Sequence, residues 1–199
     1  MGGSAPGGSG RTAVIVIGEG YQEHEFWFPY YRLLEADFSV VVAGLIAETV
    51  YGEGTIFCGG MGGTRGLPAS ITHSLDEVLE VDFDLLYLPG GLISPMKLRG
   101  DRRMRRLVRT AVDAGRVVGA ICHASWILID AGMVDGRRVA APLDMACDVR
   151  NAGGIYEEGP CVTDGTLVTA TFYSYLPQQF RSIMMLLQSR DHYQREDME

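Results

Sequence analysis

The sequence predicts an α/β fold, in which a mostly parallel sheet is covered by helices on both faces. Short apolar, β-branched runs such as "TAVIVIG" and "FSVVVAG" are typical of strands buried in parallel sheets. Segments with helical spacing separate these runs, and the clearest of them is "DRRMRRLVRTAVDAG". Strands that alternate with helices in this way indicate a parallel sheet between two helical layers. The length of 199 residues suits one domain, and no internal repeat is visible.

The first third of the chain supplies two strands and one helix. Residues 1–11, which begin "MGGSAPGGSG", are expected to form a flexible tail outside the fold. The strand "TAVIVIG" is followed by "EHEFWFPYYRLLEAD", a predicted helix that Pro29 should kink or restart. "FSVVVAG" is the second strand. Glycine dominates residues 51–68, which indicates an extended excursion or loop with no assigned element.

The rest of the chain continues the alternation. "FDLLYLPGG" predicts a buried strand that ends in a Pro-Gly-Gly turn. In the next helix Asp101 can cap the N-terminus, Gly115 ends the helix, and the arginines form a solvated face. "RVVGAI" is a strand, "HASWILIDAG" is a helix that Gly132 ends, and "RRVAAP" is a further strand. Short strands around "GIYEEGPCVTDGTLVTA" and a helix at "LPQQFRSIMMLLQ" complete a single domain of residues 12–190, and residues 191–199 form a charged tail.

Composition excludes several classes of function. The net charge of -8 argues against a nucleic-acid or anionic-membrane partner, because phosphate groups would be repelled. No apolar run approaches the roughly 20 residues that a membrane span requires. Dispersed histidines give no metal signature, and nothing indicates a cofactor. The cysteines form no C-x-x-C pair, so reduced thiols and a cytoplasmic location are expected, with Cys58, Cys147 and Cys161 serving in packing.

Cys122 occupies a different position from the other cysteines. It follows the predicted strand 117–121 directly and precedes a helix, with Gly119, Ala120 and Ala124 around it. This is the layout of a nucleophile elbow, where small neighbours permit close approach of the backbone. Free N–H groups at the start of the helix should lower the thiol pKa and could stabilise an oxyanion. The alternative is a buried structural cysteine, but the strand-to-helix turn favours a nucleophile.

Sequence spacing alone does not identify the acid–base partners of this nucleophile. His123 is a candidate base or thiolate partner, although adjacent residues in a turn often point apart. The segment "GEGYQEHEF" follows the first strand and should share the carboxyl end of the sheet with Cys122. Spacing does not choose among Glu19, Glu23 and Glu25, and a helix start enriched in acids is the alternative interpretation.

Four stretches together resemble the DJ-1/PfpI (ThiJ) family: "VIVIGEGYQEHEFWFPYYRLLEAD", "LLYLPGG", "GAICHASWILIDAGMVDGRRV" and "DVRNAGGIYEEGPCVTDGTLVTA". The resemblance implies a flavodoxin-like sandwich that associates as a homodimer or larger homo-oligomer. It also implies that Cys122 is the nucleophile, that His123 is its neighbour and that Glu25 is the acid that contacts the thiol. The N–H groups of Gly91 and Ala124 are implied to line an oxyanion pocket.

The chain also departs from the family pattern. Peptidase-like members carry an acidic residue shortly after the Gly-Gly turn, where it orients the histidine across a subunit interface. The corresponding stretch here is "GGLISPM", so the triad is predicted to be incomplete. "ASW" replaces Gly-Pro after Cys-His, and "TATFYSYLP" replaces the usual Ser-Arg-x-Pro-x-Asp-Leu. Trp126, Phe172, Tyr173 and Tyr175 could therefore build an aromatic-walled site, or pack in a core or a subunit interface.

The leading hypothesis is an enzyme whose Cys122 thiolate attacks a small electrophilic carbonyl substrate, as glyoxalase-like members do. A redox sensor or chaperone-like protein with an oxidisable Cys122 is the second hypothesis, and an intracellular cysteine peptidase is the third. An amidotransferase glutaminase has a similar elbow but requires a downstream His-x-Glu pair, which does not follow Cys122. No organic cofactor is needed for the leading reaction.

Overall fold

The structure is a computed structural model and describes residues 10–53 and 65–196. Within these ranges the strands are β1 (Thr12–Val16), β2 (Tyr21–Gln22), β3 (Ser39–Gly44), β4 (Thr49–Glu53), β5 (Arg65–Ser70), β6 (His73–Ser74), β7 (Leu85–Leu88), β8 (Val117–Ile121), β9 (Arg138–Val139), β10 (Ile155–Tyr156), β11 (Cys161–Asp164) and β12 (Leu167–Ala170). The helices are α1 (Glu23–Glu35), α2 (Leu75–Val78), α3 (Ile93–Leu98), α4 (Arg102–Asp113), α5 (Ser125–Asp130), α6 (Ala146–Asn151) and α7 (Leu176–Glu196).

The centre of the molecule is a seven-stranded sheet with the strand order β11-β12-β8-β7-β1-β3-β6. Every neighbouring pair is parallel except the β11–β12 hairpin at one edge. Every residue of β7 and β8 is buried, as expected for strands that carry helices on both faces. The predicted α/β class and its mostly parallel sheet are confirmed.

Side chains that alternate along each strand feed two separate apolar cores. Val14 and Val16 of β1 face a core that includes Leu107 of α4 and Leu128 of α5. Ala13 and Ile15 of the same strand face the opposite core, which includes residues of α1 and α7 such as Phe26 and Phe180. The two helical layers follow from this alternation, because successive side chains of a strand point to opposite faces of the sheet.

The α4 prediction is confirmed at both ends, whereas α1 differs from its prediction. Asp101 accepts a hydrogen bond from the backbone N–H of Arg103, and Gly115 has the positive φ of a helix end. Pro29 does not restart α1, which runs from Glu23 to Glu35 as one helix. Pro29 is buried together with Glu25, Phe26 and Leu33, and packing of this face stabilises the helix across the proline.

Three further segments refine the sequence prediction. In the glycine-rich excursion, β4 and β5 pair antiparallel and β2 adds to β4 in parallel, which makes a small second sheet. Cys58 lies outside the described residues. "RRVAAP" contributes only the two-residue β9, which pairs with β10 apart from the main sheet. The backbone of α7 continues to residue 196, into the segment predicted as a separate tail, and no helix of the described ranges is long and apolar enough to cross a membrane.

Candidate active site

Cys122 stands at the sharp turn between β8 and α5, in a 3-10 turn that spans Cys122–Ala124. Its φ angle is +58°, a left-handed conformation that a residue with a side chain rarely adopts. Such strain persists only where the surrounding structure enforces it, and it is typical of catalytic turns. The nucleophile elbow predicted from the sequence is therefore present, and its cysteine is only 8% exposed.

Glu25 is brought to Cys122 across the glycine turn that follows β7. The Glu25 side chain is fully buried in the first turn of α1, and its Oε2 accepts a hydrogen bond of 2.8 Å from the N–H of Gly90. A Cβ atom on Gly90 would lie 2.6 Å from Glu25 Oε2 and 2.7 Å from Cys122 Cβ. The Glu25 carboxylate and the Cys122 side chain therefore both pack against the backbone of Gly90, where only glycine leaves enough room.

The other two candidate carboxylates, Glu19 and Glu23, bind the backbone of the small sheet instead. Glu19 Oε2 accepts a hydrogen bond of 2.9 Å from the N–H of Tyr51, and Glu23 Oε1 accepts one from the N–H of Leu67. These contacts fix β4 and β5 beside the start of α1. Of the three glutamates that spacing left open, Glu25 is the one that lies beside Cys122, and its catalytic role stays a prediction.

Two backbone N–H groups point at the sulfur, those of Gly91 and His123. Gly91 has a φ of +86°, and a Cβ atom there would lie 2.6 Å from the carbonyl oxygen of Gly20, so no other residue fits. Ala124 is buried in the same 3-10 turn, and its N–H as an oxyanion donor stays a prediction. The resemblance named Gly91 as a backbone donor, and His123 supplies one of the N–H groups expected at the start of the helix.

The pKa of Cys122 is raised, and this corrects the acidic thiol expected from the helix start. Burial is the main cause, and the negative charges of Glu25 and, more weakly, Asp144 act in the same direction. Hydrogen bonds from the N–H groups of His123 and Gly91 lower the pKa but do not overcome burial. Because burial raises the pKa of Cys122, attack by its sulfur is favoured by a nearby group that accepts the thiol proton.

His123 supplies such an acceptor and contacts the thiol despite being its chain neighbour. Its Nδ1 lies 3.3 Å from Cys122 Sγ, and its Nε2 lies 3.1 Å from Oδ2 of Asp144. An Nε2–H that donates to Asp144 leaves the Nδ1 lone pair facing the sulfur. The spatial question that the sequence left open is resolved in favour of contact.

Asp144 corrects the prediction of an incomplete triad. The stretch after the Gly-Gly turn holds no carboxylate, but Asp144 reaches His123 from the 3-10 turn Leu143–Met145 of the same chain. The two residues are separated by α5 and β9, so nothing in local spacing connects them. An acidic residue shortly after a strand was the available sequence signal, and it is too common to single out Asp144.

The aromatic residues divide into two groups. Trp126 lies beside His123 with ring centroids 4.9 Å apart, and its Nε1–H donates to Asp148 Oδ2 at 3.0 Å. Tyr173 stacks on His24, the residue before Glu25, with centroids 5.0 Å apart.

Phe172 packs on Tyr173 and is 46% exposed, and Tyr175 is 36% exposed. Trp126 is therefore placed next to the candidate catalytic residues. For Phe172 and Tyr175 the choice between site and interface stays a prediction.

Of the other described cysteines, Cys161 lies at the edge of the sheet, whereas Cys147 Sγ lies 4.0 Å from the carbonyl oxygen of Asp144 and 3.8 Å from Asp148 Oδ1. Cys161 is partly buried in β11, and burial raises its pKa, which is consistent with packing. Cys147 is exposed on α6, so its predicted packing role is wrong. Among the described residues, no group of His, Cys, Asp or Glu could hold a metal ion.

Comparisons with known proteins identify the family of this chain. The model of the DJ-1/PfpI family matches residues 11–185. The chain is 33% identical to Protein/nucleic acid deglycase 2 of Escherichia coli over 90% of this chain and 98% of that protein. It is 31% identical to the putative cysteine protease YraA of Bacillus subtilis over 81% of this chain and 89% of that protein.

Solved structures share the fold. A two-domain protein of Anabaena variabilis with DJ-1/ThiJ/PfpI-like and ferritin-like domains superimposes with a TM-score of 0.80 and 27% identity, over 89% of this chain and 48% of that one. Drosophila melanogaster DJ-1beta superimposes with a TM-score of 0.73 and 24% identity, over 90% and 89%. With its family model spanning nearly the whole domain, this chain belongs to the DJ-1/PfpI family.

Proposed function

We propose that the protein is a cysteine-dependent enzyme that converts a small 2-oxoaldehyde into the corresponding 2-hydroxy acid. The observation that carries the proposal is the arrangement around one sulfur. Cys122 Sγ lies 3.3 Å from Nδ1 of His123. The Cβ atom of Cys122 and the carboxylate of Glu25 both pack against Gly90. Two groups that can accept a proton therefore flank one nucleophile, as a reaction with two different proton transfers requires. Relatives named deglycases support chemistry at carbonyl-derived groups.

The first step is addition of sulfur to the aldehyde carbon. His123 Nδ1 takes the thiol proton as the S–C bond forms, because a thiol of raised pKa is a weak nucleophile until it loses that proton. Asp144 stabilises the positive imidazolium that results. The N–H groups of Gly91 and Ala124 hold the developing oxyanion, which then takes the proton back from His123. The product is a hemithioacetal.

The second step moves hydrogen between the two substrate carbons. The Glu25 carboxylate takes the proton from the former aldehyde carbon and returns it to the neighbouring carbonyl carbon, while a second proton passes between the two oxygens. The aldehyde carbon is thereby oxidised to a thioester and its neighbour is reduced to an alcohol. Water then hydrolyses the thioester, which releases the 2-hydroxy acid and restores the thiol. The atoms balance with one water molecule per turnover.

The test is consumption of methylglyoxal with detection of lactate. We expect steady turnover by the wild type and a loss of at least about 10³-fold in Cys122→Ala, because the proposed thioester forms on this sulfur. Cys161→Ala is the matched control, since that thiol lies in β11 at the edge of the sheet, contacts Ser182, and its loss should leave turnover unchanged. A wild-type protein that leaves methylglyoxal and other 2-oxoaldehydes untouched would refute the proposal.

Hydrolysis of peptide or amide bonds is a second candidate function, favoured by the Cys122–His123–Asp144 contacts within one chain. The same three groups serve cysteine hydrolases, and one relative bears the name putative cysteine protease. Cleavage of fluorogenic peptide amides that disappears in Cys122→Ala, with no lactate formed from methylglyoxal, would favour this alternative.

A further inference from the structure

Trp126 is partly buried and held in one orientation by three different contacts. Its ring lies 4.9 Å from the His123 ring, centroid to centroid, at an interplanar angle of 50°. Its indole N–H donates to Asp148 Oδ2 at 3.0 Å, and the Arg99 guanidinium lies 5.5 Å from the ring centroid. A side chain restrained in this way loses little further freedom when a ligand packs against it.

The Trp126 ring lies close to the sulfur of Cys122. His123 Nδ1 lies 3.3 Å from Cys122 Sγ, and the Trp126 ring packs beside the His123 ring, so a single imidazole ring separates Trp126 from the atom that would bond to substrate. Glu25, which is fully buried, and the backbone of Gly90 pack beside the Cβ atom of Cys122. A substrate substituent that extends from Cys122 past His123 would meet Trp126.

The chemistry around Trp126 favours a flat and neutral group. An indole ring packs best on other rings or planar groups, in stacked or edge-on arrangements. Two carboxylates, Asp144 and Asp148, lie next to His123 and to the indole N–H respectively. These carboxylates disfavour a negatively charged substituent. A positively charged substituent is disfavoured too, because the guanidinium of Arg99 already lies over the indole ring.

We propose that Trp126 forms the substituent subsite of this active site, and that the subsite selects 2-oxoaldehydes with a neutral aromatic or planar substituent over methylglyoxal. This inference rests on the proposed function and names its substrate class. The stoichiometry is the same as for methylglyoxal. Phenylglyoxal and one water molecule would give 2-hydroxy-2-phenylacetate, because the aldehyde carbon is oxidised and the ketone carbon is reduced.

The experiment compares kcat/KM for phenylglyoxal and methylglyoxal in the wild type, Trp126→Ala, Trp126→Phe and Cys122→Ala. We expect the wild type to prefer phenylglyoxal. Trp126→Ala should lose about tenfold in kcat/KM for phenylglyoxal and less than about twofold for methylglyoxal, because only the larger substituent reaches the ring. Trp126→Phe keeps a ring at this position and should retain most of the preference. Tyr31→Ala removes an aromatic ring that is 60% exposed on α1, and it should change neither value.

The outcomes separate the two proposals. Turnover that depends on Cys122 but shows no preference for phenylglyoxal would overturn the subsite and leave the proposed function intact. An equal loss for both substrates in Trp126→Ala would also overturn it, since Trp126 would then act only by supporting His123. Absence of Cys122-dependent turnover with both substrates would overturn the proposed function and the subsite together.

Discussion

At the scale of single residues, the thiol of Cys122 and the carboxylate of Glu25 oppose each other electrostatically. Burial places both groups beside the same glycine, and the negative charge of Glu25 helps to raise the pKa of Cys122. An ionised carboxylate disfavours a second negative charge nearby, so removing it must lower the thiol pKa. The same carboxylate is the proposed shuttle between the substrate carbons. A variant that removes the Glu25 charge should therefore contain more Cys122 thiolate and yet turn over more slowly.

Glu25→Gln is that variant. We expect the thiolate absorbance of Cys122 to appear at lower pH than in the wild type, while kcat falls by about 100-fold or more because the shuttle is lost. Glu23→Gln is the matched control, since Glu23 binds the backbone of Leu67 and not the elbow. A titration midpoint that stays in place or moves upward would contradict the charge interaction.

Asp144 acts through His123 and is a positioning residue. In Asp144→Asn we expect kcat/KM to fall by at least about tenfold, because an amide stabilises the imidazolium less than a carboxylate does. Asp144→Glu should restore part of the loss, whereas the thermal midpoint should barely change in either variant, since Asp144 is 69% exposed. Asp113→Asn serves as the control, because that carboxylate is exposed at the end of α4, and it should leave kcat/KM unchanged. Equal loss in the Asn and Glu variants would argue against a role for the charge.

At the scale of elements, the site is assembled where the turn after β7 meets the elbow after β8 and the start of α1. Gly90 lies at this junction, and any side chain there would displace Glu25 or the elbow. The three elements are held in place by the sheet, since β7 pairs with both β1 and β8. Catalysis should therefore be more sensitive than folding to an added methyl group at this point.

We expect Gly90→Ala to abolish most activity and to lower the free energy of unfolding by about 1–3 kcal/mol, the usual cost of overpacking. Chemical denaturation and turnover measured on the same sample check both effects. Gly159→Ala is the matched control, because a Cβ atom there would meet nothing within 4 Å. Wild-type activity in Gly90→Ala would show that the junction is looser than these contacts imply.

At the scale of the whole molecule, one buried amide ties α7 to the centre of the sheet. Gln179 donates to the carbonyl oxygens of Ala120 and Val168, and it accepts a hydrogen bond of 3.0 Å from the hydroxyl of Tyr87. The amide is fully buried, so its partners have no water to replace it. This network joins β7, β8 and β12 beneath one helix.

Gln179→Leu should lower the free energy of unfolding by about 1–3 kcal/mol, because it leaves the buried Tyr87 hydroxyl without a partner. Tyr87→Phe combined with Gln179→Leu should cost less than the sum of the two single changes, which urea denaturation of all four proteins will measure. Strict additivity would mean that the two side chains do not interact. Association of the chain as a homodimer stays a prediction from the family resemblance.

Features that depend on local patterns could be predicted from the sequence. Buried β-branched runs identified the parallel strands, Asp101 and Gly115 marked the two ends of α4, and the strand-to-helix turn singled out Cys122. Each of these rests on neighbouring residues and on backbone preferences that are readable within one segment. The family motif added Glu25, which spacing had not separated from its acidic neighbours.

Features that depend on distance and burial became visible in the folded chain alone. Asp144 lies 21 residues after His123 and contacts its Nε2 at 3.1 Å, and no periodicity in the sequence records that approach. The direction of the Cys122 pKa shift was predicted wrongly, because the start of a helix is a local signal whereas the burial that outweighs it arises from packing of α1 and the glycine turn. Charges and solvent act through space, so the chemistry of the thiol is a property of the fold rather than of its segment.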